Sequence, residues 1–140
     1  MRAGKTTYTR AMTLHILIVD ADRSAAQVTR AAVARSLPAA TVTVTTDPAH
    51  AWARSQPEPL DVLIIDPPPR RPAGTQLIRQ VQAIWPDVLV IVLASAPTPA
   101  LRRDLQALAV DVYLEKPTLL PVVLSALHTA LQRPHRHCVD

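Results

Sequence analysis

The chain has 140 residues, 49% of them hydrophobic, with 15 Lys and Arg against 11 Asp and Glu for a formal charge of +4. That length suits one hydrophobic core, and the apolar content excludes a wholly disordered chain. A single Cys excludes a disulfide framework, and no apolar run approaches the ~18–20 residues of a membrane span.

In chain order, residues 1–13 read as a flexible, basic lead. Gly4-Lys5-Thr6 imitates the end of a phosphate-binding loop, but it lacks the upstream Gly and the preceding strand that such a loop needs. Ile16-Leu17-Ile18-Val19 is a continuous β-rich run ending at Asp20. It is shorter than the ~7–15 residues of a signal-peptide core, which points to a cytoplasmic protein. Arg23 to Ser36 has helical period, and Asp22 is placed to cap it. Thr41-Val42-Thr43-Val44-Thr45 alternates strictly, as a half-exposed edge strand does. Asp47-Pro48 then sets an N-cap residue before Pro at the first helical position.

Val62-Leu63-Ile64-Ile65 forms a second buried run, ending at Asp66. Pro67-Pro68-Pro69-Arg70-Arg71-Pro72 should be stiff and extended. Gly74-Thr75 opens a helix that runs to Trp85 and is stopped by Pro86. Val88 to Leu93 is a third buried strand, ending at Ala94, and Thr98-Pro99 starts the next helix. Val112-Tyr113-Leu114 is short and mixed, as expected of a second edge, and leads into Glu115-Lys116. Leu119 to Gln132 completes five helices. Leu120, Leu124, Leu127 and Leu131 form one apolar stripe on it, with Val123, Ala126 and Ala130 adjoining. That width exceeds what a sheet-packed helix buries, so it predicts either a second contact surface or a deeply seated C-terminal helix. Trp52 and Trp85 read as packing residues, and His15, His50 and His128 as surface or boundary positions. Residues 133–140 form a basic tail whose His135, His137 and Cys138 lack an ordered fourth metal ligand.

The excess charge sits on the lead and tail, while the body has as many acidic as basic residues. Nucleic-acid binding is therefore not expected, since it needs cations clustered on the fold itself. Five βα repeats over residues 14–132 argue an α/β, three-layer (βα)5 flavodoxin-like sandwich with a parallel five-stranded sheet in the order 2-1-3-4-5. Ligands of such sheets bind beyond the carboxyl ends of the strands, where the strand order reverses. Asp20, Asp66 and Lys116 all stand at that end. Two carboxylates and an ammonium converging there make a metal-plus-phosphoryl site, because hard cations take oxygen ligands and the Lys neutralises phosphoryl oxygens.

From His15 to about Gln132 the chain resembles the receiver (CheY-like) domains of response regulators. The marks are Ile16-Leu17-Ile18-Val19-Asp20, Asp66, Gly74 eight residues later, and Tyr113-Leu114-Glu115-Lys116-Pro117. The resemblance implies that Asp66 is the phosphoacceptor, that Lys116 contacts the phosphoryl group, and that Tyr113 relays the change with a hydroxyl after the fourth strand. It implies a Mg²⁺ site from Asp20, Asp66 and the backbone carbonyl of Pro68. It also implies a histidine kinase or phosphotransfer protein as partner, and a homodimer or partner face made by the fourth helix, fifth strand and fifth helix.

The departures are as informative. The family's second acid after the first strand is Ala21, which cannot coordinate a cation, with Asp22 as the substitute one step on. Pro67 has no N–H to offer a phosphoryl group. The hydroxyl position of the switch is Ala94, with Ser95 next, and Arg70 replaces the usual Pro. Losing a charged ligand and an oriented donor costs about 1.5–3 kcal/mol each. A tenfold loss of binding is about 1.4 kcal/mol, so together they amount to several powers of ten. The expectation is a non-enzymatic, degenerate receiver (pseudo-receiver) acting through protein–protein interaction, with Mg²⁺-dependent phosphorylation of Asp66 weakened or absent. The chain ends soon after the fifth helix, so no output domain is expected. The alternatives are a conventional phospho-accepting receiver and a flavodoxin-like small-ligand binder. The Asp20-Ala21-Asp22-Arg23 turn would repel a flavin phosphate, which weighs against the latter.

Overall fold

The computed structural model describes residues 14–55 and 59–133, with the side chains of 52–55 outside that description. The lead, the tail with its His and Cys residues, and the Trp52 side chain therefore lie outside the described residues. The elements alternate throughout: β1 (His15–Val19), α1 (Arg23–Ser36), β2 (Thr41–Thr45), α2 (Pro48–Ser55), β3 (Val62–Ile65), α3 (Ala73–Ile84), β4 (Leu89–Ala94), α4 (Pro99–Ala107), β5 (Val112–Glu115) and α5 (Leu120–Leu131). The strands form one parallel sheet in the order β2-β1-β3-β4-β5, as the alternation of Thr41–Thr45 and the continuous apolar runs require.

Each central strand divides its side chains between two apolar layers. Leu17, Val19, Leu63, Ile65, Val90 and Val92 pack with Leu77, Ile78, Leu101 and Leu105 of α3 and α4. Ile16, Ile18, Val62, Ile64 and Ile91 pack with Ala26 and Val33 of α1 and Val123 and Leu127 of α5. At the amino end of the sheet, two aspartates hold neighbouring strands in register. Asp61 Oδ2 accepts the His15 N–H at 2.9 Å, and Asp111 Oδ2 accepts the Val90 N–H at 2.8 Å. Ser36 Oγ and His128 Nε2 bond between the ends of α1 and α5.

Two local expectations are corrected, and the buried face of α5 is defined. The Pro67–Pro72 segment is not extended throughout, because it turns at Pro69-Arg70. Pro72, at φ −76° and ψ −5°, already has helical geometry and leads into α3, which its fixed φ permits. On α5 the buried line is Val123, Leu127 and Ala130, drawn from both apolar stripes and flanked by half-buried Leu124 and Leu131. Its surplus apolar surface is at the start, where Leu119 and Val122 are 72% and 45% exposed. Finally, α3 ends at Ile84, with Trp85 as its C-cap, packed against the core.

Candidate functional site

The backbone ladder runs past the strand ends and fixes three of the expected site residues. Asp20 N–H donates to the Thr45 carbonyl at 3.1 Å, Asp66 N–H to Val19 at 2.9 Å, and Lys116 N–H to Ala94 at 2.8 Å. Their side chains consequently project into one crevice at the carboxyl end of the sheet. Lys116 Nζ lies 2.7 Å from Asp20 Oδ2 and 3.1 Å from Asp66 Oδ2. The other oxygen of each carboxylate takes a backbone donor. Asp20 Oδ1 accepts the Asp22 N–H at 2.9 Å, and Asp66 Oδ1 accepts the Ser95 N–H at 3.1 Å. All the carboxylate oxygens of the pair thus have a protein donor. Burial pulls the Lys116 ammonium toward its neutral form, but the hydrogen bonds to Asp20 and Asp66 outweigh it and hold its pKa above the ordinary value.

The remaining expected residues divide between the crevice and its surroundings. Asp22 is exposed and serves as the N-cap of α1, its Oδ1 accepting from the Ala25 N–H at 3.1 Å. Ala21 is exposed and offers only a methyl group. Ser95 reaches Asp66 through its backbone, not its hydroxyl. Ala94 is buried, with no hydroxyl to present. Pro67 and Pro68, which follow Asp66, pack against the start of α3, where Gly74 admits them. A Cβ there would stand 2.7 Å from Pro67 Cβ and 3.1 Å from Pro68 Cδ. Among the described residues, no group of three or more His, Cys, Asp or Glu is assembled to hold a metal ion.

Tyr113 sits away from the crevice, in a second arrangement at the β5 edge. Its hydroxyl donates to Glu115 Oε2, which also accepts from Arg102 Nε at 2.8 Å. Burial and the neighbouring Glu115 raise the Tyr113 pKa, while the hydrogen bonds from Arg102 and Tyr113 lower that of Glu115. The ring lines a groove of about 400 Å³ with Arg102, Leu105, Gln106, Ala109 and Val110. Sequence reasoning did not single out Arg102 or the Ser95 amide. The signal available for Arg102 was its place beside the buried Leu101–Leu105 line of α4, on the flank that faces β5.

The sequence matches the response regulator receiver domain model over residues 16–128. No curated protein sequence matches it at a significant level. Among solved structures, the chain is similar to a CheY-like receiver domain protein from Methanospirillum hungatei JF-1, with a TM-score of 0.74 at 19% identity, covering 85% of this chain and 94% of that one. It is also similar to chemotaxis protein CheY4 of Vibrio cholerae, with a TM-score of 0.72 at 20% identity over 84% and 98% of the two chains. The non-phosphorylated HemR receiver domain of Leptospira biflexa gives 0.74 at 18% identity over 87% and 98%. At these identities the structural likeness speaks for the fold. Receiver domains are generally non-enzymatic modules that typically bind Mg²⁺ at the phosphorylation site and interact with kinases or effectors. No described helix is long and apolar enough to cross a membrane. Because the family match takes in all five strands from Ile16 onward and the Asp20–Asp66–Lys116 crevice, the chain belongs to the response regulator receiver domains of two-component signalling.

Proposed function

We propose that this receiver works mainly by binding another signalling protein, with Mg²⁺-dependent phosphorylation of Asp66 weakened or absent. The observation that carries this reading is the Lys116 ammonium held by both Asp20 and Asp66, with a backbone donor on each remaining oxygen. The residues present fit a divalent cation poorly. A cation entering between the carboxylates must displace Lys116, and Ala21 supplies no replacement charge. Asp22 would have to give up its cap on α1, which is worth about 1 kcal/mol. Pro67 has no N–H for an incoming phosphoryl group, and Ala94 has no hydroxyl through which its arrival could be sensed.

One observation favours the conventional reading. Asp66, Lys116 and the Ser95 amide are grouped as an acceptor, a cation and a donor. Such a set could stabilise a phosphoryl group even where the metal is weak. The partner in either case is a signalling protein, such as a histidine kinase or phosphotransfer protein. Its docking face is the α4–β5–α5 side, where the Tyr113 groove and the exposed Leu119 and Val122 lie. Apolar surface of this kind, rimmed by Arg102 and Glu115, is a usual interaction surface.

Mg²⁺ titration followed by amide NMR tests the proposal. The Asp22 and Ser95 amides should stay in place at millimolar Mg²⁺, and Ala21→Asp should make them move saturably. Saturable movement in the unaltered chain at sub-millimolar Mg²⁺ would show a competent metal site and overturn the reading.

A further inference from the structure

An open sheet has two edges, and this one treats them differently. At β5 the edge carries Glu115 paired with Arg102, followed by Lys116. Strand β2 lacks three of the usual protections, namely charge, proline and a bulge. Thr41–Thr45 contains no charge and no Pro, and its register with β1 runs through five residue pairs without a bulge. Its side chains are β-branched throughout, with Thr43 exposed. Among the described residues, no strand lies beyond β2.

The phase of the strand shows what this edge offers. Thr41 N–H donates to the Leu14 carbonyl at 2.8 Å, and the Thr45 carbonyl accepts the Asp20 N–H at 3.1 Å. In a parallel ladder such residues alternate, so Thr41, Thr43 and Thr45 turn their backbone groups toward β1. Val42 and Val44 turn theirs outward. The residue order Thr-Val-Thr-Val-Thr reads the same in both directions about Thr43. A second copy brought up antiparallel, with a two-fold axis at Thr43, sets Val42 opposite Val44 of the other copy. Those are the residues with free backbone groups, and each such pair exchanges both N–H···O bonds. Thr43 then meets Thr43 as a non-hydrogen-bonded pair, Thr41 meets Thr45, and the valines extend the apolar layer on the α1 side.

We propose that β2 is a self-association edge, through which two copies of this chain join their sheets antiparallel about Thr43. About the axis at Thr43 a second copy matches this edge residue for residue, Thr opposite Thr and Val opposite Val, and that self-complementarity makes the chain itself the partner. An isologous contact of this kind closes after two copies and does not propagate. The contact is small, so the dimer is weak, in the range of transient assemblies. It also leaves the α4–β5 groove of each copy free at the far ends of the joined sheet.

Sedimentation equilibrium of the full chain, from low micromolar to near-millimolar concentration, tests this together with Thr43→Lys and Thr43→Glu. The unaltered chain should show a concentration-dependent monomer–dimer equilibrium. Each variant should keep the parent circular dichroism and shift at least tenfold toward monomer, because like charges would face each other across the axis. An equimolar mixture of the two variants should regain dimers. A strictly monomeric parent chain overturns the proposal, including the case in which residues 1–13 occupy the edge. So does a parent dimer that both variants preserve, which would put the contact elsewhere.

Discussion

A Cβ added to Gly74 would stand 2.7 Å from Cβ and 3.0 Å from Cα of Pro67, the residue that follows the crevice carboxylate Asp66. The obstacle is a proline ring and backbone, neither of which can swing away. Gly74→Ala should therefore destabilise the fold by about 1–3 kcal/mol, despite the gain of about 1 kcal/mol that Ala brings inside a helix. Urea unfolding checks it, and an unchanged or raised midpoint would show that the β3–α3 loop yields freely.

Lys116→Met removes the only cation bonded to Asp20 and Asp66 among the described residues. The two carboxylates are then left facing each other, at a cost of about 1–3 kcal/mol in thermal or urea unfolding. Adding Asp66→Asn should restore part of the loss, because one of the uncompensated charges disappears. The pH dependence follows from the raised Lys116 pKa. The stabilisation is fully present below the unfolded value of about 10.4 and is lost as pH rises through the higher folded value. The parent chain should lose this increment at strongly alkaline pH, and Lys116→Met should have none to lose.

Tyr113 should form its phenolate at a pH above that of free tyrosine, since burial and Glu115 both oppose the anion. Phenolate absorbance of the folded chain reports this, with Glu115→Gln moving the midpoint down and Arg102→Ala moving it up. The opposite order would mean that the Tyr113–Glu115–Arg102 arrangement is absent in solution.

Ala109 has φ +54°, the left-handed region that favours glycine, just past the end of α4. Ala109→Gly should raise stability by about 0.5–1 kcal/mol, with the relief of strain exceeding the extra entropy of the unfolded chain. Chemical denaturation checks the sign.

Much of this architecture was written locally. Continuous apolar runs identified β1, β3 and β4 as interior strands, and the Thr/Val alternation put β2 at an edge. Asp20, Asp66 and Lys116 each follow a strand of a parallel sheet, so their convergence needed no more than the strand order. The cap by Asp22 was legible for the same reason, since it is settled within three residues. What was not legible depends on contacts between distant segments. Nothing in the sequence says that one ammonium bonds both carboxylates, or that the Ser95 amide takes the fourth oxygen. The Arg102–Glu115 pair joins α4 to β5, and Ser36–His128 joins α1 to α5, so neither has a local signature. The Pro67–Pro72 run misled because proline suits a turn or a helix start as well as an extended chain, and the docking of α3 on Pro67 decides among them.

The central claim is that the Lys116-bridged crevice leaves Asp66 a poor phosphoacceptor. Its most direct measurement is the intact mass of the full chain after incubation with acetyl phosphate and Mg²⁺, alongside Asp66→Asn. The account predicts little or no phosphorylated species in either protein. A near-complete gain of one phosphoryl group in the parent chain, abolished by Asp66→Asn, would contradict it.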